Sequence, residues 1–219
     1  MEINPGAVLW SAPESERAGR PILVLLHGHR MDERAGFEPL FGGRGVVPPG
    51  FDVRRHLPAE LVFASVRAPR EARGGGYAWF PMDSSFSLEA IDHSAAAVLS
   101  WLDSVEVGGP VGILGFSQGV ATAFQMVRRE PARFAYAVNL SGGVVPFPGR
   151  GDAELAARRL PVFWGRGDQD RVIPPLLVES TRWWLRGHTD LTERVYPGLS
   201  HNVSAAELAD LAAFVAKQV

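Results

Sequence analysis

Short, largely apolar runs alternate along this chain with stretches whose apolar residues recur every three or four positions. The runs are Ile22–Leu26, which is continuously apolar, then Leu61–Val66, Val111–Phe116, Tyr136–Leu140, Pro161–Trp164 and Thr192–Tyr196. A strand apolar on both faces belongs in a parallel sheet covered on both sides. Helical stripes lie between them. Ile91, Ala95, Val98, Leu102 and Val105 form one, ended by Gly108-Gly109-Pro110. Val120, Ala123, Phe124 and Val127 form a second, stopped by Pro131. Leu176, Leu177, Ser180 and Trp184 mark a third, with Gly187 just beyond. Leu208, Leu211, Phe214 and Val215 mark the last, opened by the capping-box residues Ser204 and Glu207. The alternation predicts an α/β fold, a mostly parallel sheet with helices on both faces, as one domain over residues 1–219.

Composition narrows what such a fold would do. The chain has 219 residues, 46% of them hydrophobic, enough for a full core. Its formal charge is −2 with no long charge run, which gives a nucleic-acid partner or an anionic membrane no electrostatic support. No cysteine is present, so disulfides, thiolate metal sites and cysteine nucleophiles drop out, and a reducing cytoplasm fits. Residues 1–10 carry Glu2 and no basic segment ahead of an apolar core, so no secretory signal is expected. No stretch reaches the ~18 apolar residues of a membrane span, and stable membrane insertion is not expected. Nothing in the sequence opposes a homodimer. Two Gly/Pro-rich stretches, Gly42 to Pro58 and Ala68 to Ser85, exceed simple connections and are expected at a pocket rim.

The chemistry centres on Gly115-Phe116-Ser117-Gln118-Gly119. This G-x-S-x-G pattern is weak alone, but here it follows a strand-like run at once and opens a helical stripe at once. A serine on so sharp a turn stands clear of the sheet, and side chains two before or two after it would strike neighbouring elements. A serine hydroxyl needs an adjacent base. In such elbows the acid follows in the chain and the histidine comes last. Only His188 and His201 follow Ser117. His201 lies between the final strand and the final helix, at the sheet edge expected for Ser117. His188 precedes its strand and belongs at the opposite edge, as a solvated turn residue. The loop after Pro161–Trp164 holds Asp168 and Asp170. Asp170 is the chosen acid because the chain turns back toward a helix just after it. Asp168 would brace the turn through its own backbone, although a swap between the two stays open.

A developing oxyanion is held by two backbone N–H groups. Gln118, at the start of the helix, offers one. His29, in the loop after Ile22–Leu26, offers the other, and its side chain would line the pocket. His27 and His29 could suggest a metal, but two ligands without a third make a poor site. No metal and no cofactor are expected, and His27 reads as a buried histidine bonded to backbone. Trp79 and Phe80, behind Gly74–Gly76, either form an apolar substrate-pocket wall or pin their loop to the core. Trp183 and Trp184 read as helix packing.

Taken together, Leu26-His27-Gly28, Ala68-Pro69 leading to Gly76-Tyr77-Ala78-Trp79-Phe80, the Ser117 elbow, Gly165–Pro174 and Gly198–His201 resemble the bacterial phospholipase/carboxylesterase family, related to acyl-protein thioesterases. The motifs run in the family's order over nearly the whole chain. The resemblance implies an α/β-hydrolase fold, a triad of Ser117, Asp170 and His201, and oxyanion donors His29 and Gln118. It also implies hydrolysis of small-molecule carboxylic esters of short to medium acyl length without a cofactor. One departure is His29-Arg30, where the family often has a small apolar residue and glycine; this puts bulk near the hole. Strand spacing leaves no room for a lid domain, which suggests an open, shallow cleft. Two other readings stand beside the esterase. One is a thioesterase, lysophospholipase or amide hydrolase with the same residues; the other is a ligand-binding protein that keeps the fold without turnover.

Overall fold

The computed structural model describes residues 1–36, 57–83, 87–106 and 108–219. Residues 42–56 of the first Gly/Pro-rich stretch, and Ser84 and Ser85 of the second, both expected at a pocket rim, lie outside the described residues.

Nine strands and five α-helices are described. The strands are β1 (Val8–Trp10), β2 (Ile22–Leu26), β3 (Val62–Val66), β4 (Arg70–Glu71), β5 (Tyr77–Ala78), β6 (Val111–Phe116), β7 (Tyr136–Leu140), β8 (Leu160–Gly167) and β9 (Thr189–Tyr196). The helices are α1 (Leu88–Asp103), α2 (Gln118–Arg129), α3 (Asp152–Arg158), α4 (Pro175–His188) and α5 (Ala205–Val215). Seven strands form one sheet in the order β1-β3-β2-β6-β7-β8-β9. Only β1 runs antiparallel to its neighbour in that sheet. The fold is that of the α/β-hydrolases, as expected.

Alternate residues of each central strand enter opposite cores, the period-2 geometry of a pleated strand. Ile22, Val24 and Leu26 pack with residues of α1, α2 and α4. Leu23 and Leu25 pack on the other face with Leu208, Leu211 and Phe214 of α5. The capping box that opens α5 is formed by Ser204 and Glu207.

Several boundaries differ from the sequence reading, for local reasons. Strands β8 and β9 each run eight residues, longer than read, and in β9 most positions are exposed or half-buried, so polar residues break its apolar run. Helix α1 stops at Asp103, before Val105. Helix α4 includes Gly187 and ends on His188, whose Nδ1 lies 2.7 Å from the Trp184 carbonyl. Helix α3 went unread because Leu155 is its only buried residue and leaves no stripe. The β4–β5 hairpin, two residues a strand, is too short for periodicity to register.

Parallel register brings the functional loops to one edge. Leu26 pairs with Gly115, Phe116 with Leu140, and Leu140 with Gly165. The loops bearing His29, Ser117, Asp170 and His201 all leave the carboxyl ends of strands. The first turn of α2 presses on this edge: a Cβ added at Gly119 would stand 2.1 Å from the Leu26 carbonyl oxygen. Gly119→Ala is therefore expected to lower stability by about 1–3 kcal/mol. Gly187→Ala, in a helix with nothing within 4 Å of the new methyl, is expected to raise it by about 0.5–1 kcal/mol. Urea midpoints of the two variants check the opposed signs.

Candidate active site

Ser117 joins β6 directly to α2 and adopts φ 51° and ψ −116°. An L-residue holds that conformation only under constraint. Its N–H donates to the Leu140 carbonyl at 2.9 Å, which anchors the turn to β7. Glycines on both sides make the turn feasible. A Cβ at Gly115 would lie 2.5 Å from the Val120 backbone, as the spacing of the motif suggested.

Three side chains from separate loops meet here. Ser117 Oγ is 2.8 Å from His201 Nε2, and His201 Nδ1 is 2.8 Å from Asp170 Oδ2. With Nδ1–H donating to the carboxylate, Nε2 is the acceptor for the serine hydroxyl. The other carboxylate oxygen, Oδ1, accepts the N–H groups of Val172 at 2.9 Å and Ile173 at 3.3 Å. Burial pushes the Asp170 carboxyl up, but the His201 hydrogen bond, its charge and the two amides outweigh this and hold it below the usual carboxylate range. Phe116 packs against the imidazole, ring centroids 5.3 Å apart.

Asp168 is placed otherwise. It is exposed, and its Oδ1 accepts the Gly198 N–H at 2.7 Å. The expectation that it braces its own turn is corrected: it ties the Asp170 loop to the loop that carries His201. A second strut runs from the Gln169 N–H to the Leu199 carbonyl at 3.0 Å.

His29 and Gln118 line the same cavity as Ser117. Among the described residues, neither backbone N–H donates to a protein acceptor. Arg30, expected to crowd this region, sits at φ 63° and turns its guanidinium to the Gly74 carbonyl at 2.6 Å. Its backbone pairs with Tyr77, and Tyr77 with Met31, which laces the His29 loop to the β4–β5 hairpin. Beneath them Arg67 makes a two-pronged ion pair with the buried Glu33 and lies over the Tyr77 ring.

His27 is buried and saturated. Its Nε2 accepts the Ala68 N–H at 3.0 Å, and Nδ1 lies 2.7 Å from the Gly28 carbonyl. No lone pair remains for a metal. Burial lowers its pKa to about 4, against a smaller opposing pull from the Gly28 carbonyl.

Trp79 and Phe80 part company. Trp79 is fully buried and its Nε1 donates to the His27 carbonyl at 2.7 Å. It pins its loop, and its expected place in the pocket wall is corrected; Phe80 does line the cavity. The pin that sequence reasoning missed is the Gln118 side chain. Its Oε1 accepts the Trp79 N–H at 2.9 Å and its Nε2 donates to the Phe80 carbonyl at 2.8 Å. A polar residue one step past the nucleophile signals only its backbone role in the pattern.

The cavity over Ser117 measures about 550 Å³ and is mostly apolar, walled by Phe80, Ile91, Val144, Phe147 and Leu177. Helix α4 and the segment after β7 contribute a wall to it that no motif announces. Trp184 is buried and Trp183 is exposed, as helix packing requires. No described helix is long and apolar enough to cross a membrane.

Comparison with known proteins agrees with this picture. Residues 61–219 match the profile of the family described as phospholipase/carboxylesterase. Acyl-protein thioesterase 1 of Kluyveromyces lactis is 29% identical over 150 residues, 64% of this chain and 66% of that protein. Carboxylesterase SOBER1 of Arabidopsis thaliana is 27% identical over 142 residues, 64% and 62% of the two. The chain thus spans about two thirds of the length of each relative. Among solved structures, a Bacillus cereus carboxylesterase superposes with a TM-score of 0.74 at 16% identity, covering 97% of this chain and 94% of that one. Zea mays acyl-protein thioesterase 2 gives 0.71 at 18%, covering 96% and 98%. At such identities these two likenesses speak for the fold.

A neutral buried His27 has a pH signature. Its folded pKa is lowered to about 4, so its stabilising state is fully present above the unfolded value near 6.5 and is lost as pH falls toward 4. The loss amounts to about 3 kcal/mol. Glu207, pushed up to about 8 by burial, slopes the opposite way between its ordinary value and 8. The difference between the unmodified protein and His27→Gln isolates the histidine. That difference in urea stability is expected to shrink steadily from pH 7 to pH 4.

Proposed function

Because this chain belongs to the phospholipase/carboxylesterase family of α/β-hydrolases, we propose that it is a serine esterase that cleaves small-molecule carboxylic esters of short to medium acyl length. The unbroken relay from Ser117 through His201 to Asp170 carries this reading. His201 takes the hydroxyl proton as Ser117 attacks the ester carbonyl. The tetrahedral oxyanion rests on the N–H groups of His29 and Gln118, two donors whose loss would each cost about 3–4 kcal/mol in the transition state. Asp170 keeps the imidazole oriented and offsets its charge. His201 then protonates the departing alcohol, and water repeats the sequence on the acyl-enzyme. The chemistry runs on side chains and water and calls for no cofactor. A cytoplasmic setting suits the cysteine-free composition.

The acyl half fits the cavity of about 550 Å³, within the roughly 300–1,000 Å³ of small-molecule sites. Each methylene buried there contributes about 0.8 kcal/mol. A p-nitrophenyl ester series from acetate to octanoate is therefore expected to gain about fourfold in kcat/KM per methylene until the cavity fills. A flat series would place the acyl chain elsewhere.

Thioester cleavage by the same residues is a second reading, favoured by the likeness to the Kluyveromyces lactis acyl-protein thioesterase. Paired ester and thioester substrates of one acyl length separate the two. Ser117→Ala should cut either rate at least about a thousandfold with the fold intact. Asp170→Asn should cost far more than Asp168→Asn, since an asparagine at 168 can still accept the Gly198 N–H. Retained activity in Ser117→Ala would refute the nucleophile assignment, while an unmodified protein with neither turnover nor a fluorophosphonate label on Ser117 would favour a binding protein instead.

A further inference from the structure

A second, much smaller cavity lies directly behind the carboxylate side of the relay. It measures about 20 Å³ and is walled by Ser141, Trp164, Arg166, Asp170, Ile173 and Val178, with Gly142 closing it. Three of these residues bring a buried polar atom that finds no partner among the described residues: Ser141 Oγ, Trp164 Nε1 and Arg166 Nε. Two of the three are obligate donors. A buried donor left without an acceptor is costly, so natural proteins seldom tolerate even one such group in a small patch. Three together, around a space that one water fills, indicate a shared partner.

The wall also holds one acceptor with capacity to spare. A carboxylate offers about four lone-pair sites. Asp170 uses two on Oδ1 for Val172 and Ile173 and one on Oδ2 for His201. A water has four valences to place. It accepts from Trp164 Nε1 and Arg166 Nε, and donates to Ser141 Oγ and Asp170, which gives each of the three buried atoms a partner. An anion suits the donors but not the neighbouring carboxylate. The backbone supports a built site: Ser141 is held at φ 48° by its N–H bond to the Gly165 carbonyl, at 2.9 Å.

We propose that this cavity seats one ordered water that links Trp164, Arg166 and Ser141 to Asp170, which makes Trp164 and Arg166 positioning residues for the acid of the relay. The inference rests on reading Asp170 as that acid. The water's hydrogen bond fixes the carboxylate plane and draws charge away from Oδ2. Without it, the carboxylate swings and bears more strongly on His201, which stabilises the imidazolium.

The test uses the whole protein with p-nitrophenyl butyrate. Ser117→Ala and Asp170→Asn come first; if Asp170→Asn costs nothing, the underlying reading fails and the cavity is not at issue. With that loss in hand, Trp164→Phe and Arg166→Met are each expected to lower kcat about tenfold with KM unchanged. They are also expected to move the acidic limb of the kcat/KM profile to higher pH. In the Asp170→Asn background neither should cost anything further. Arg166 is only partly buried, so Arg166→Met keeps the test open if Trp164→Phe fails to fold. A high-resolution crystal structure of the unmodified protein should show one water touching Trp164 Nε1 and Asp170. A cavity without that water, an acidic limb that stays in place, or penalties that add in the Asp170→Asn background would overturn the proposal.

Discussion

Everything at the carboxyl edge of the sheet depends on how closely the first turn of α2 approaches the end of β2. Gly119 meets the Leu26 carbonyl with no room for a methyl group. That approach fixes the Ser117 turn against the start of the His29 loop. Two loops distant in sequence thereby share one small volume, and the strained serine backbone is stable because β2, β7 and α2 all hold it. The strain is local, while the packing that supports it comes from both cores of the sheet.

Around that contact the protein relies on backbone capture by polar side chains. Gln118 holds residues 79 and 80, His27 holds Ala68, Asp168 holds Gly198, and Asp170 holds residues 172 and 173. Each of these side chains, the exposed Asp168 included, ties down backbone that the central sheet does not hold. The Glu33–Arg67 pair does the same from beneath, tying the His29 loop to β3. Rigid geometry at the relay thus arises from loops that are bonded to one another, not only from the sheet that bears them.

Much of this was legible in the sequence. Continuous apolar runs gave the central strands, because burial on both faces leaves a strong compositional mark. The relay was legible because its chain order and sheet edge are dictated by the elbow, and the structure brings Ser117, Asp170 and His201 within hydrogen-bond reach. What escaped lacks a periodic or motif signal. Helix α3 buries Leu155 alone, the hairpin strands have two residues each, and the role of Trp79 depended on whether a donor could find the His27 carbonyl. The make-up of the cavity wall escaped as well, since Ile91, Val144, Phe147 and Leu177 come from elements that meet only in three dimensions.

The pair of hydrogen bonds from the Gln118 side chain to residues 79 and 80 constrains how this scaffold could diversify. The same residue offers its main-chain amide beside the serine and its carboxamide to the loop that presents Phe80. Any replacement at 118 would alter the shape of the chamber together with its floor. Position 80, by contrast, displays a side chain from a stretch whose main chain is already bolted down. Variation in substrate preference among descendants of this chain would therefore accumulate at 80 and its facing neighbours, while 118 stays fixed.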